Sequence, residues 1–406
     1  MKNFFKNLGP GILVSAAFIG PGTVTVCSIA GVEFGYSLLW ALLISIFACI
    51  ILQEMSARLG LISGQGLSEC IREEMKNPVI RIFTLFLIFS AIVIGNAAYE
   101  AGNITGAVLG MEAVFTSVNF QIGAFDLNIW SLFIGGIAFT LLLLGSYKKL
   151  EKVFIVLVIL MSISFLLTAV LTRPDISEIF KGFIPGSFDA GLLTIIALVG
   201  TTVVPYNLFL HASLVSEKWT GSKYLGAVRK ELVFSLALGG LVSMAIVVCA
   251  AASNIDQIED AGDLALGLEP LFGNSATIFL AIGLLAAGIT SSITAPLAAA
   301  YVVQGCLGWK GGMKSRKFKM VWMSIIVLGV MFSSLGIKPV EIIQFAQIAN
   351  GLVLPIIAIF LFWIVNQRSV LGEHKNSLFQ NITGIAVIAL AVFLGAKSIF
   401  NVIQNF

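Results

Sequence analysis

The chain reads as an all-α polytopic membrane protein whose first and sixth spans are interrupted, and three observations carry that reading. Of its 406 residues, 58% are hydrophobic and only 11% charged, against about 25% charged in a soluble domain. Eleven apolar windows follow one another with short connections. Two of those windows hold a proline near the middle, Pro21 and Pro205, where lipid offers nothing to repair a broken helix.

The windows lie near 11–30, 37–57, 79–109, 129–147, 152–172, 190–214, 232–252, 272–305, 320–336, 342–366 and 381–403. Lys2 and Lys6 precede a stretch too long and too glycine-rich for a cleavable signal. With the N-terminus in the cytoplasm, all but four of the 24 Lys and Arg fall on the cytoplasmic side; Arg173, Lys181, Lys338 and Lys397 remain outside. That asymmetry orients the protein and, with an odd number of spans, places the C-terminus outside. A net charge of +3 without a basic-aromatic pattern excludes nucleic acid as a partner. Cys27, Cys49, Cys70, Cys249 and Cys306 show no CxxC spacing and read as small core residues. With two histidines and no paired deep carboxylates, no catalytic constellation is in view and no cofactor is expected.

The first break reads "IGPGTVT" (19–25) and the second "LVGTTVVPYNLFLHASLV" (198–215). Each opens a set of five spans. Residues 1–406 therefore form one transmembrane domain with repeat one at about 11–172, repeat two at about 190–366 and an extra span at about 381–403. A five-span unit must be inverted relative to its twin, and paired interrupted helices in inverted halves point to a transporter's midplane site. Unwound backbone there lines a polar cavity and offers carbonyls and half-helix N-termini to a substrate. Glu100 is the sole carboxylate deep in the third span, and Asn96 and Asn103 share its helix face. An acid at that depth is a functional candidate. His211, one turn beyond Asn207, suits a proton relay or a hydrogen-bond network. Gln347 and Asn350 on the tenth span suit interhelical bonding or substrate contact. The run "GSYKKLEK" (145–152) reads as a solvated turn.

These segments resemble the Nramp divalent-metal transporters along nearly the whole chain. "LGPGILVSAAFIGPGTVT" is similar to that family's first helix, which carries an Asp-Pro-Gly-Asn break, and "LQEMSARLGLISGQGLSE" (52–69) to its second. "GSYKKLEK" and "KGFIPG" (181–186) fit its fourth-to-fifth connection and the approach to helix six. "GTTVVPYNLFLHASLV" resembles the sixth-helix motif around Met-Pro-His. "LEPLFGNSATIFLAIGLLAAGITSSIT" (268–294) and "QFAQIANGLVLP" (344–355) resemble helices eight and ten. The resemblance implies a LeuT-like fold, five-plus-five inverted repeats with an eleventh helix, in a bacterial cell membrane.

The ligand positions depart from the family. The resemblance places the metal-binding Asp, Asn and Met at Gly20, Thr23 and Val204, and the first sixth-helix His at Tyr206; His211 and Gln347 are retained. The proton-pathway Asp and Glu align with Glu100 and Asn103. What remains around Pro21 and Gly22 is neutral oxygen: Thr23, Thr25, Thr201, Thr202, Tyr206, Asn207 and carbonyls near residues 20 and Val203. Such donors suit a divalent cation that keeps much of its water, as Mg²⁺ does, rather than a soft one. The rival substrate is a small zwitterion such as an amino acid, its carboxylate on the glycine-rich break and half-helix N-terminus. Both are cargo of an alternating-access secondary transporter; ion or proton coupling would run through Glu100 and His211.

Overall fold

The computed structural model describes residues 19–122, 125–145, 148–186, 191–219, 221–253 and 255–404. The opening half of the first span, with Lys2 and Lys6, and the turn residues 146–147 lie outside the described residues.

The described chain is a helical bundle. In chain order it contains α1 (Pro21–Phe34), α2 (Leu39–Ser63), α3 (Leu67–Glu74) and α4 (Pro78–Glu112). A small hairpin follows, β1 (Asn119–Ile122) and β2 (Phe125–Asn128), then α5 (Ile129–Leu144), α6 (Lys148–Leu171) and α7 (Ile176–Lys181). The second half holds α8 (Leu192–Thr202), α9 (Pro205–Lys218), α10 (Leu225–Ala251), α11 (Ala261–Leu266), α12 (Glu269–Phe272) and α13 (Ala276–Leu307). It closes with α14 (Arg316–Ser333), α15 (Pro339–Val365), α16 (Arg368–Leu371) and α17 (Leu378–Gln404). The antiparallel hairpin, registered Asn119 opposite Asn128, is an addition to the all-helical expectation.

Among the described residues eight helices, counting α8 with α9 as one, are long and apolar enough to cross a membrane. The expected fourth and ninth spans are shorter, 16 residues in α5 and 18 in α14. Local chemistry sets several ends. Asn77 accepts from Val79 N at 3.0 Å and starts α4 with Pro78 in its first turn, and Asn128 caps α5 in the same way. Gly64 at φ 68° closes α2 in the left-handed region that a side chain disfavours.

α4 runs through the middle of the bundle, packed against α13, α14 and α15; α1 packs on α10, α8 on α15 and α9 on α2. Its last turns are buried, whereas its first half presents Val79, Ile82, Phe86 and Ile94 outward. Large exposed apolar side chains of this kind fit a lipid-facing surface. All five cysteines are free and buried. On α3, burial pushes the Cys70 thiol up to about 11, so it stays protonated and unreactive at neutral pH.

The two helix breaks match. α1 and α9 each have 14 residues, each begins on its proline, and neither N-terminus is capped by a side chain. Proline at a first helical position lacks only an N–H that would be unpaired anyway. Pro21 and Pro205 therefore start half-helices rather than kink continuous ones.

Candidate functional site

The breaks meet. Thr23 Oγ1 and Thr201 Oγ1 share a hydrogen bond of 2.9 Å across 178 residues of sequence. α15 wedges between them: Gln347 lays its side-chain amide on Gly22 and its backbone carbonyl on Gly200. A Cβ on Gly22 would overlap the Gln347 amide, so glycine is required there by close approach. On the other side of α1, a Cβ on Gly106 of α4 would overlap the Pro21 ring. Helix contacts thus hold the start of α1 from two directions.

Gly20, Pro21, Gly22, Thr23, Thr201, Val203, Val204, Tyr206, Asn207 and Gln347 are all buried at this junction or on its elements. Their polar atoms are only partly used. Gln347 Oε1, Asn207 Oδ1, Tyr206 Oη and Thr25 Oγ1 are buried without a hydrogen-bond partner among the described residues. Thr202 instead donates to Leu198 O at 2.7 Å, along its own helix. Val203 and Val204, in extended or irregular backbone, separate α8 from α9. Unpaired polar atoms at this depth cost free energy until something binds them. Asn350, one turn beyond Gln347, also keeps an unpartnered Nδ2.

A second polar cluster adjoins the first. Tyr206 packs edge-on against Tyr99 with ring centroids 5.2 Å apart. Next to Tyr99, Glu100 is fully buried; Asn103 Nδ2 donates to its Oε2 at 3.3 Å, while Oε1 has no partner among the described residues. Its stem packs on Gly329 of α14. Asn96, expected on the same face, donates to Ala295 O at 2.8 Å and ties α4 to α13. Six residues separate Glu100 from Gly106 beside Pro21, about 9 Å along the helix. His211 is buried a turn beyond Asn207, and its Nδ1 donates to Gln53 Oε1 at 2.8 Å. Its Nε2 has no partner among the described residues.

Gln53 and Tyr99 are the participants that sequence reasoning missed. Both carried a signal: Gln53 is an amide inside an apolar span, and Tyr99 directly precedes the buried acid. Among the described residues, no group of three or more His, Cys, Asp or Glu side chains is placed to hold a metal ion. A cavity of about 170 Å³ lies between the far end of α1 and the start of α15, lined by Glu33, Glu259 and Glu341 together with Lys338, Gln257 and Gln344. Lys338 is paired to Glu259 at 3.1 Å.

The model of the natural resistance-associated macrophage protein-like (Nramp) family matches residues 11–401. The divalent metal cation transporter MntH of Staphylococcus saprophyticus is 26% identical over all of this chain and 93% of its own length. That of Deinococcus radiodurans is 27% identical over 97% of this chain and 89% of its own. Among solved structures, the Eremococcus coleocola manganese transporter superposes with a TM-score of 0.77 at 20% identity, covering 98% of this chain and 88% of that one. MhsT, solved with L-phenylalanine, gives 0.59 at 14%, covering 97% and 98%. The fold is the all-α, LeuT-like one. With the family model spanning both breaks and all but the ends of the sequence, the chain belongs to the Nramp family of secondary transporters.

Proposed function

We propose that this chain moves a divalent metal cation across the bacterial cell membrane by alternating access, and that the ion keeps much of its hydration shell. The observation that carries this is the donor set where the breaks meet. Thr23, Thr201, Tyr206, Asn207 and Gln347 supply only neutral oxygens, several of them unpartnered. Gly20 and Val204 offer neither carboxylate nor thioether at the positions that resemble the family's ligands. Hard cations that retain water are held by few protein contacts, whereas soft ions need sulfur. That its relatives are divalent metal cation transporters supports a metal as cargo. The cavity with Glu33 and Glu341 supports a cation too, since carboxylates lining a recess concentrate positive ions.

In this reading residues 11–172 and 190–366 are inverted halves, 381–403 is an added helix, the N-terminus is cytoplasmic and the C-terminus external. Coupled ion or proton movement runs through Glu100 and Asn103 on one side of the junction and His211 on the other. Asn96 positions that face of α4. Competitive uptake in proteoliposomes tests the reading. Mg²⁺ uptake only weakly inhibited by Mn²⁺ or Cd²⁺ is expected; tight, selective Cd²⁺ binding would overturn it.

A second reading, transport of a small zwitterion, rests on a specific feature. The N-termini of α1 and α9 lack side-chain caps, and Gly22 leaves the backbone close to the junction. Helix N-termini of that kind accept a carboxylate. Uptake of amino acids with no response to divalent ions would favour it.

A further inference from the structure

The connection from α13 to α14 and the first turn of α14 carry five cations, Lys310, Lys314, Arg316, Lys317 and Lys319, and no Asp or Glu occurs between Glu269 and Glu341. The first four are exposed and Lys319 is half-buried. None of them makes an ion pair among the described residues. Arg72 of α3 lies against Gly308 and adds a sixth positive group. The carboxylate nearest to it in sequence, Glu73, is held by Arg72 at 3.1 Å and by Gln65 at 2.8 Å; Glu69 lies one turn earlier on α3. Lys317 sits over the Trp309 ring, 5.4 Å from its centroid.

The same stretch is apolar where it is not basic. Leu307, Met313 and Met320 are exposed, and Met320 continues into Val327 and Met331 on one outward face of α14. α14 falls in the ninth apolar window of the sequence, and its exposed apolar face fits a lipid-facing surface. Concentrated cations beside exposed methionines, with one lysine over a tryptophan ring, match a headgroup layer over acyl chains. A soluble anion would use the cations and leave the methionines in water.

We propose that this connection and the start of α14 bind the headgroups of anionic phospholipids, with the Lys and Arg side chains on phosphates and Met313 and Met320 at the acyl boundary. The inference rests on the chain spanning a bilayer and not on which substrate it carries. Native mass spectrometry of the full-length protein from mixed micelles of phosphatidylglycerol and phosphatidylcholine tests it. Each cation near an anionic surface contributes about a five-fold preference at low salt. Replacing Lys310, Lys314 and Lys317 together by Gln should therefore lower the retained phosphatidylglycerol-to-phosphatidylcholine ratio by about a hundred-fold. Arginine at the same three positions should keep the ratio, which separates lost charge from lost fold. An unchanged ratio in the Gln variant overturns the proposal. So does a rise in thermal stability with inorganic phosphate in phosphatidylcholine that equals the rise given by phosphatidylglycerol, because the site would then be one for free anions.

Discussion

Gly22 has no space for a methyl group beside the Gln347 side chain, and this makes it a residue of the junction that a single substitution can probe. In Gly22→Ala the new Cβ would strike the Gln347 amide, an overpacking that costs about 1–3 kcal/mol. Uptake should be lost while circular dichroism keeps the helical signal, and adding Gln347→Ala should restore part of the stability. Stability that does not recover in the double variant would separate the two residues. Glu100 makes a different demand. A buried acid with one unpartnered oxygen holds or passes a proton or cation far more readily than an amide can. Glu100→Gln should therefore flatten the pH dependence of uptake, or abolish uptake, in a protein that purifies normally. An unaltered rate–pH profile would leave Glu100 a packing residue.

At the scale of elements, one partly buried network, centred on the buried Arg58, clamps three helices and a connection. Arg58 on α2, 1% exposed, donates to Glu54 at 3.1 Å, to Asn376 Oδ1 at 2.6 Å and to the His374 carbonyl. Arg229 of α10 donates to Glu54 at 2.6 Å, and Gln380 of α17 reaches it at 3.4 Å. Arg58→Ala should lower stability by about 3 kcal/mol, because breaking a buried pair leaves its partners short of donors; thermal unfolding in detergent reads this. Arg58→Lys should not restore it, since an ammonium cannot fork to carboxylate and amide together. The prolines and their apolar context made both breaks legible in the sequence, and the polar face of Asn96, Glu100 and Asn103 was legible as helical spacing. The Thr23–Thr201 bond, the Gln53–His211 pair and the burial of Arg58 were not. Each joins helices far apart in sequence, and spans that are apolar all round carry no periodicity to say which neighbours they meet.

At the scale of the whole molecule, the two half-helices and α15 form one junction, and the acidic cavity adjoins the far end of α1. If cations enter from that side, Glu33→Gln with Glu341→Gln should slow uptake at low ionic strength. The difference from the unmodified protein should close as salt rises and screens the field. A salt-independent difference would assign those carboxylates a structural part instead.

The central claim, a cation held through neutral oxygens at the junction of the breaks, is tested most directly by titration calorimetry of Gly20→Asp/Thr23→Asn beside the unmodified protein. Mg²⁺, Mn²⁺ and a panel of amino acids are the ligands. A carboxylate placed in a low-dielectric recess strongly favours a bound cation and repels a bound anion. The account predicts measurable Mg²⁺ binding by the unmodified protein and tighter binding of both metals by the double variant. Amino-acid binding by the unmodified protein that the double variant abolishes, with no heat from either metal, would contradict it.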